Sequence, residues 1–152
     1  LPKFGYSFVE FSQPYVKASG REEDISPKAS REICNAINGK MLQKAKTYLE
    51  NVMEKKQVVA YKRYKNDVGH KAGLTGFHAG RYPIKAAEKI LEILLNLENN
   101  GEFKGMDTER LKIIHAAAMR GRQVKSFTSR AFGKSSPSYN TLVHIELAAA
   151  EV

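Results

Sequence analysis

Between Arg110 and Asn140 the chain carries seven cations and no carboxylate: Arg110, Lys112, Arg120, Arg122, Lys125, Arg130 and Lys134. The apolar runs at Leu111-Lys112-Ile113-Ile114 and Leu142-Val143-His144-Ile145-Glu146-Leu147 read as strands on either side of it. Its centre, Ser129 to Ser136, is small, basic and turn-prone. The segment is therefore a hairpin. At roughly 3.3 Å per residue, about twenty residues of strand reach on the order of 60 Å, and half of that suffices for a body. The remainder must project. Its far end has too few large apolar side chains to hold itself together and too many cations to sit against itself. Such an arm is stable only inside something polyanionic, and RNA is the first expectation.

The rest of the chain supplies the body. Tyr6 to Phe11 alternates as a strand would, with Tyr6 and Phe8 on one face, and the polar run Ser12 to Asp24 reads as a loop. Ser26-Pro27 starts a helix, with Ser26 as its cap and Pro27 in its first turn. Ala29, Ile33, Ala36 and Ile37 fall at helical spacing, and Gly39 closes the helix. Leu42, Ala45, Leu49, Val52 and Met53 form the stripe of a second helix, packed beside the first across a short link. Residues 62 to 82 are irregular and punctuated by glycine. Pro83 opens a third helix with a wide stripe (Ala86, Ala87, Ile90, Leu91, Leu94, Leu97), ending at Asn99-Asn100-Gly101. The expected architecture is α+β: a small antiparallel three-stranded sheet covered by three helices, with a long protruding β-hairpin. At 152 residues one domain is expected, with a globular body at about 1–119 and 138–152 and an arm at about 120–137.

The net charge of +9 favours nucleic acid or an anionic membrane surface. No apolar run is long enough to span a membrane, and Glu10 interrupts any signal-peptide pattern. Cys34 is alone, which fits a reducing cytosol. From Leu1 to Ala60, ten cations face seven acids; from Tyr61 to Val152, fifteen face nine. Apart from the hairpin, the surplus collects at Lys55, Lys56, Lys62, Arg63, Lys65, Lys71, Arg81 and Lys85, against Asp67 alone. A solvated face accounts for one such cluster. Two nearly acid-free clusters in one small chain point to phosphate, with Arg120, Arg122, Lys125, Arg130 and Lys134 as the arm's contacts.

Enzyme chemistry finds little support. His115 and His144 lie on the two hairpin strands, where they could oppose each other, but neither has a nucleophile or carboxylate in sequence reach, and Glu146 is a lone strand carboxylate. His70, His78 and Cys34 lack the fourth ligand and the spacing that zinc requires, so no metal and no cofactor is expected. The two loop histidines face RNA or water instead. Gly73-Leu74-Thr75-Gly76 matches the clamp of a KH domain, which leaves a free-standing single-strand RNA module as the alternative. Tyr61, Tyr64, Phe77 and Tyr82 interleave with the cations and could stack on bases; Tyr61 and Tyr82 could equally belong to the core. Phe132 has no core of its own, so a base or a partner side chain must cover it.

At these residues the chain resembles the family of universal large-subunit ribosomal protein twenty-two, in its archaeal and eukaryotic branch. The likeness lies in Ser26 to Ile33 with Asn38-Gly39-Lys40, in Lys62-Arg63-Tyr64 with Val68 to Lys71, in Gly80 to Ala87, and in Arg130-Ala131-Phe132-Gly133-Lys134. It runs from about Tyr6 to Glu146. The resemblance implies a structural, non-enzymatic constituent of the large subunit, cytoplasmic and monomeric within the ribosome. It implies contacts to ribosomal RNA from Lys28, Arg31, Lys40, Lys62, Arg63, Lys65, His70, Lys71, His78, Arg81 and Lys85 as well as from the arm. Neighbouring ribosomal proteins would be partners. The tip, Ser129 to Lys134, would line the nascent-peptide exit tunnel and meet the nascent polypeptide. Asn38 and Ser129 depart from the family's usual Arg and Pro, and Ser136 stands at or near a tip position often held by a cation.

Overall fold

The computed structural model describes residues 5–152. Its order is β1 (Tyr15–Glu23), α1 (Pro27–Ile37), α2 (Leu42–Met53), β2 (Val59–Ala60), β3 (Gly80–Arg81), α3 (Ile84–Phe103), a 3₁₀ turn (Thr108–Arg110), β4 (Leu111–Ser129) and β5 (Ser135–Glu151). The antiparallel sheet has the order β1-β5-β4, and β2 with β3 forms a separate two-stranded ribbon. The expected α+β architecture is present.

The first strand lies elsewhere than the sequence suggests. Tyr15–Glu23 pairs with β5, from Tyr15 opposite Ala150 to Gly20 opposite Ile145, whereas Tyr6 to Phe11 is outside every strand. β1 reads as a loop because one face is polar (Lys17, Ser19, Arg21) and the other small (Val16, Ala18, Gly20). The small face is a requirement of packing: a Cβ on Gly20 would stand 2.5 Å from Ile93 Cδ1 of α3. Rows of cross-strand partners line the helix side of the sheet: Val16-Ala149-Ile113, Ala18-Leu147-Ala116 and Gly20-Ile145-Ala118. α1 lies over β4 and α3 over β1, while α2 packs chiefly on α3.

Residues Tyr6 to Phe11 instead cross the opposite face of the sheet. Tyr6, Phe8, Phe11 and Tyr15 form a chain of ring contacts, and Phe8 also meets the His115 ring, 4.8 Å between centroids. Their alternation is genuine but serves side-chain packing, without a ladder. This strap explains why Ala148 and Ala150, which face away from the helices, are as buried as Ala149. It is pinned by Glu146, whose carboxylate accepts from the Ser7 N–H (2.8 Å), the Ser7 hydroxyl (2.7 Å) and Arg21 Nη2 (2.9 Å). Burial alone would raise the Glu146 pKa; the Ser7 bonds and Arg21 outweigh it and hold it below its ordinary value.

The helix starts and stops follow local chemistry. Ser26 Oγ accepts from Ala29 N, capping α1 ahead of Pro27. Beyond α1, Gly39 N donates to Ile113 O and Ile113 N to Lys40 O, tying the turn between α1 and α2 to β4. α3 runs past the expected stop at Gly101, which is buried inside the helix against Leu111. It ends instead with Gly105 N to Glu102 O and Met106 N to Gly101 O, a Schellman closure.

Candidate nucleic-acid interface

The sheet becomes a two-stranded arm where β1 stops. Glu23 and Arg120 both oppose Val143; further out, only β4 and β5 pair, from Gln123-Thr141 to Ser129-Ser135. The tip closes with Arg130 N to Lys134 O at 2.8 Å, and Phe132 and Gly133 both adopt positive φ, 59° and 68°. Non-glycine residues rarely occupy that region. Arg120, Arg122, Lys125, Arg130 and Lys134 are all exposed. So are Phe127 and, at 99%, Phe132. The arm thus presents cations and uncovered rings together, the combination that backbone neutralisation and base stacking require.

The arm leaves the body through a double bulge. The register shifts between Gly20 and Glu23 on β1 and between Arg120 and Gln123 on β4, on either side of His144 of β5. Glu22, at φ 56°, donates its N–H to His144 Nδ1 at 3.0 Å. That bond makes Nδ1 the acceptor nitrogen and places the proton of the neutral ring on Nε2. A Cβ at Gly121 would meet His144 Nε2 at 2.8 Å, so the second bulge requires glycine. Arg122 pairs with Glu22 at 3.4 Å across the two bulges. Asp24 accepts from Asn140 Nδ2 (2.6 Å) and Lys85 Nζ (2.9 Å), joining the root of the arm to the start of α3. The Asn140 and Lys85 bonds hold the Asp24 carboxyl below its ordinary range.

The second basic cluster hangs on one buried acid. Glu32 is 1% exposed, and its carboxylate accepts from the backbone N–H groups of Lys62 (3.2 Å), Arg63 (2.9 Å) and Tyr64 (3.2 Å). Three consecutive amides converge on one carboxylate, which fixes the course of the loop and leaves the Lys62, Arg63 and Lys65 side chains outward. Lys28 of α1 and Arg63 both lie over the Tyr64 ring, at 5.7 and 5.9 Å. Arg81 lies over Tyr61, and Lys71 over Tyr82. Tyr61 itself is core, and burial lifts its hydroxyl to a pKa of about 12. His70 and His78 are exposed neighbours, their rings 4.7 Å apart, with Phe77 stacked on His78. Arg31 and Lys40 are half-buried, Lys40 over Tyr48. The remaining predicted cations are on the surface.

Three sequence expectations need correction here. His115 and His144 do not oppose each other: His115 faces Ala148 and His144 faces Met119, four residues apart on β5, or about 13 Å. Glu146 is not alone, since Ser7 and Arg21 hold it. Gly73 to Gly76 form turns between β2 and β3 and do not link two helices as a KH clamp does. Among the described residues, no three His, Cys, Asp or Glu side chains gather closely enough to hold a metal ion. Cys34 is buried, which raises its thiol to about 12.

Sequence reasoning missed Glu32, Glu22, Asp24, Tyr139 and the elbow role of His144. Glu32 carried a signal: it stands on the apolar stripe of α1, three residues after Ala29 and four before Ala36. The others depend on contacts between distant segments and carried none.

Fold and surface define an α+β protein that presents a cation-studded hairpin from a helix-backed sheet. The chain belongs to the family described as ribosomal protein L22p/L17e, whose model matches residues 18–150. It is similar to the large ribosomal subunit protein uL22 of Nitrosopumilus maritimus, 46% identical over 153 residues and 100% of both chains. The uL22 protein of Cenarchaeum symbiosum is 46% identical over 97% of each chain. That of Archaeoglobus fulgidus is 47% identical over 88% of this chain and 86% of its own.

Proposed function

We propose that this chain is a structural constituent of the large subunit of the cytoplasmic ribosome, binding its RNA as one monomeric domain. The arm enters between RNA helices and presents Ser129 to Lys134 to the wall of the nascent-peptide tunnel, where the growing polypeptide passes. The Lys62 to Lys85 surface and the α1 cations Lys28 and Arg31, with Lys40, grip RNA around the body. Neighbouring subunit proteins complete its surroundings, and its docking supports assembly. The relatives' designation as large-subunit proteins supports the setting. One observation carries the mode of binding: a ladder of about 30 Å beyond the last β1 contact bears four exposed cations and no acid, with Arg120 at its root and Phe132 uncovered.

Neutralising six to ten phosphates would weaken binding to naked large-subunit RNA by roughly 10³ to 10⁵ between 50 and 200 mM salt. Filter binding across that range checks this; a flat response would remove the proposal. In a cell extract the protein should sediment with large subunits and resist a high-salt wash. Recovery in the free-protein fraction would contradict the subunit role.

A further inference from the structure

An open groove of about 510 Å³ lies at the elbow, between the N-terminal end of α1, the start of α3 and the root of the arm. Asp24, Lys28, Lys85, Arg120, Tyr139 and Asn140 are among its lining residues. A groove for phosphate alone would be cationic throughout. This one combines cations with an aromatic side chain and with an ionised acceptor held in place from two sides. Tyr139 is half exposed at 51% although it belongs to a paired strand, and Lys125 lies 5.9 Å from its ring centroid. Asn140 and Lys85 each use one Asp24 oxygen, and every carboxylate oxygen has a second lone pair to offer.

We infer that the elbow groove receives a single unpaired RNA nucleotide, its base stacked on Tyr139, its phosphate on Lys28 and Arg120, and a donor of its base or ribose on Asp24. Each contact matches a part of the ligand. Unpaired bases stack on aromatic side chains, and their edges and 2′-hydroxyls supply donors that a phosphate lacks. The volume falls within the range of small-ligand pockets, about 300–1,000 Å³. The Asp24 carboxylate disfavours a bare phosphate beside it and rewards a neutral donor. This site rests on the ribosomal RNA reading above and specifies it: the elbow would be a point where RNA is read as well as neutralised.

The full-length chain, titrated separately with each ribonucleoside 5′-monophosphate and with inorganic phosphate, tests the site by NMR. At least one nucleotide should shift the Tyr139 ring and Asn140 side-chain amide resonances saturably, with upfield ring-current displacement of its own base protons. Inorganic phosphate should leave the Tyr139 ring unmoved. Tyr139→Leu should weaken that binding about tenfold, the loss of one stacked base, while Tyr139→Phe should retain it. Asp24→Asn should weaken the nucleotide without strengthening it relative to phosphate. Equal Tyr139 shifts from phosphate, or none from any nucleotide, would overturn the inference. A parallel titration with a large-subunit RNA transcript separates the two readings. Transcript binding with a silent groove rejects this site alone, whereas no transcript binding rejects the RNA role itself.

Discussion

From Leu111 to Met119, β4 has every side chain buried or half-buried; from Arg122 to Ser129 the same strand exposes all of them. β5 shows the reverse passage, from an exposed tip to a run of six buried residues, Ile145 to Ala150. Cross-strand pairing continues through both regions, interrupted by bulges, so backbone pairing does not distinguish them. What changes is cover. In the body the ladder is sandwiched between α1 and α3 on one side and the strap on the other. In the arm, no segment among the described residues covers either face. Apolar burial contributes about 25 cal/mol per Å², whereas an isolated two-stranded hairpin is marginal in water. The body is held by its own packing, and the arm by its ladder alone.

The sharpest way to break this comparison is to damage each region in turn. Leu94→Ala opens a cavity in the fully buried stripe of α3 and should cost about 2–5 kcal/mol in chemical denaturation. Replacing Thr128 to Ser136 by a short turn should change stability by only about 0.5 kcal/mol and leave the helical circular dichroism intact. Loss of the helical signal in the truncated protein would mean that the arm belongs to the core. A second contrast lies within the body. Glu32→Ala removes no cation, yet it strands three amides and should cost about 1–3 kcal/mol. Hydrogen exchange at Lys62 to Tyr64 should accelerate, and RNA affinity should fall with all of the loop's positive charge still present.

These residues also mark what was legible beforehand. Helix positions followed from periodicity and caps, because α1 and α3 each bury one continuous face. The arm followed from the absence of acids, a property of composition that needs no partner. β1 was hidden because a strand lying beneath a helix must be small on that side, and small-plus-polar is also how loops are composed. The strap misled for the opposite reason: its aromatics alternate to cover a sheet face. The cations could be read directly from the sequence, but the groups that hold their backbones in place could not. Glu32, Glu22, Asp24 and His144 act across 30 to more than 100 residues of sequence, and local pattern does not carry that information.

The strap offers a subtler test, because its hold on the sheet depends on pH. Glu146 titrates below its ordinary 4.5 in the folded chain. Its contribution is therefore fully present above that ordinary value and disappears as pH falls through the lowered native one. Hydrogen exchange in the strap should be protected at neutral pH and lose protection in acid, while the α3 amides stay protected to lower pH. Glu146→Gln should weaken the strap at pH 7 and flatten this dependence. An unchanged acid profile in the variant would show that another group sets it.

The smallest expected effect is at the elbow, where the two regions meet. His144 makes its bond to Glu22 N–H through Nδ1, and an Asn side chain places an oxygen at nearly the same position. His144→Asn should therefore keep the arm's direction, while His144→Phe, similar in size but without an acceptor, should lose it. Neither should shift global stability by more than about 0.5 kcal/mol, because the exposed Glu22 amide can turn to water. The informative readout is orientation: the distance distribution between spin labels at Ser136 and Asn96, measured by pulsed electron resonance. A narrow distribution in the parent and the Asn variant, broadened in the Phe variant, would establish that one hydrogen bond aims the arm. Equal widths in all three would assign that task to Asp24 with Lys85 and Asn140, and Asp24→Ala would then have to produce the broadening.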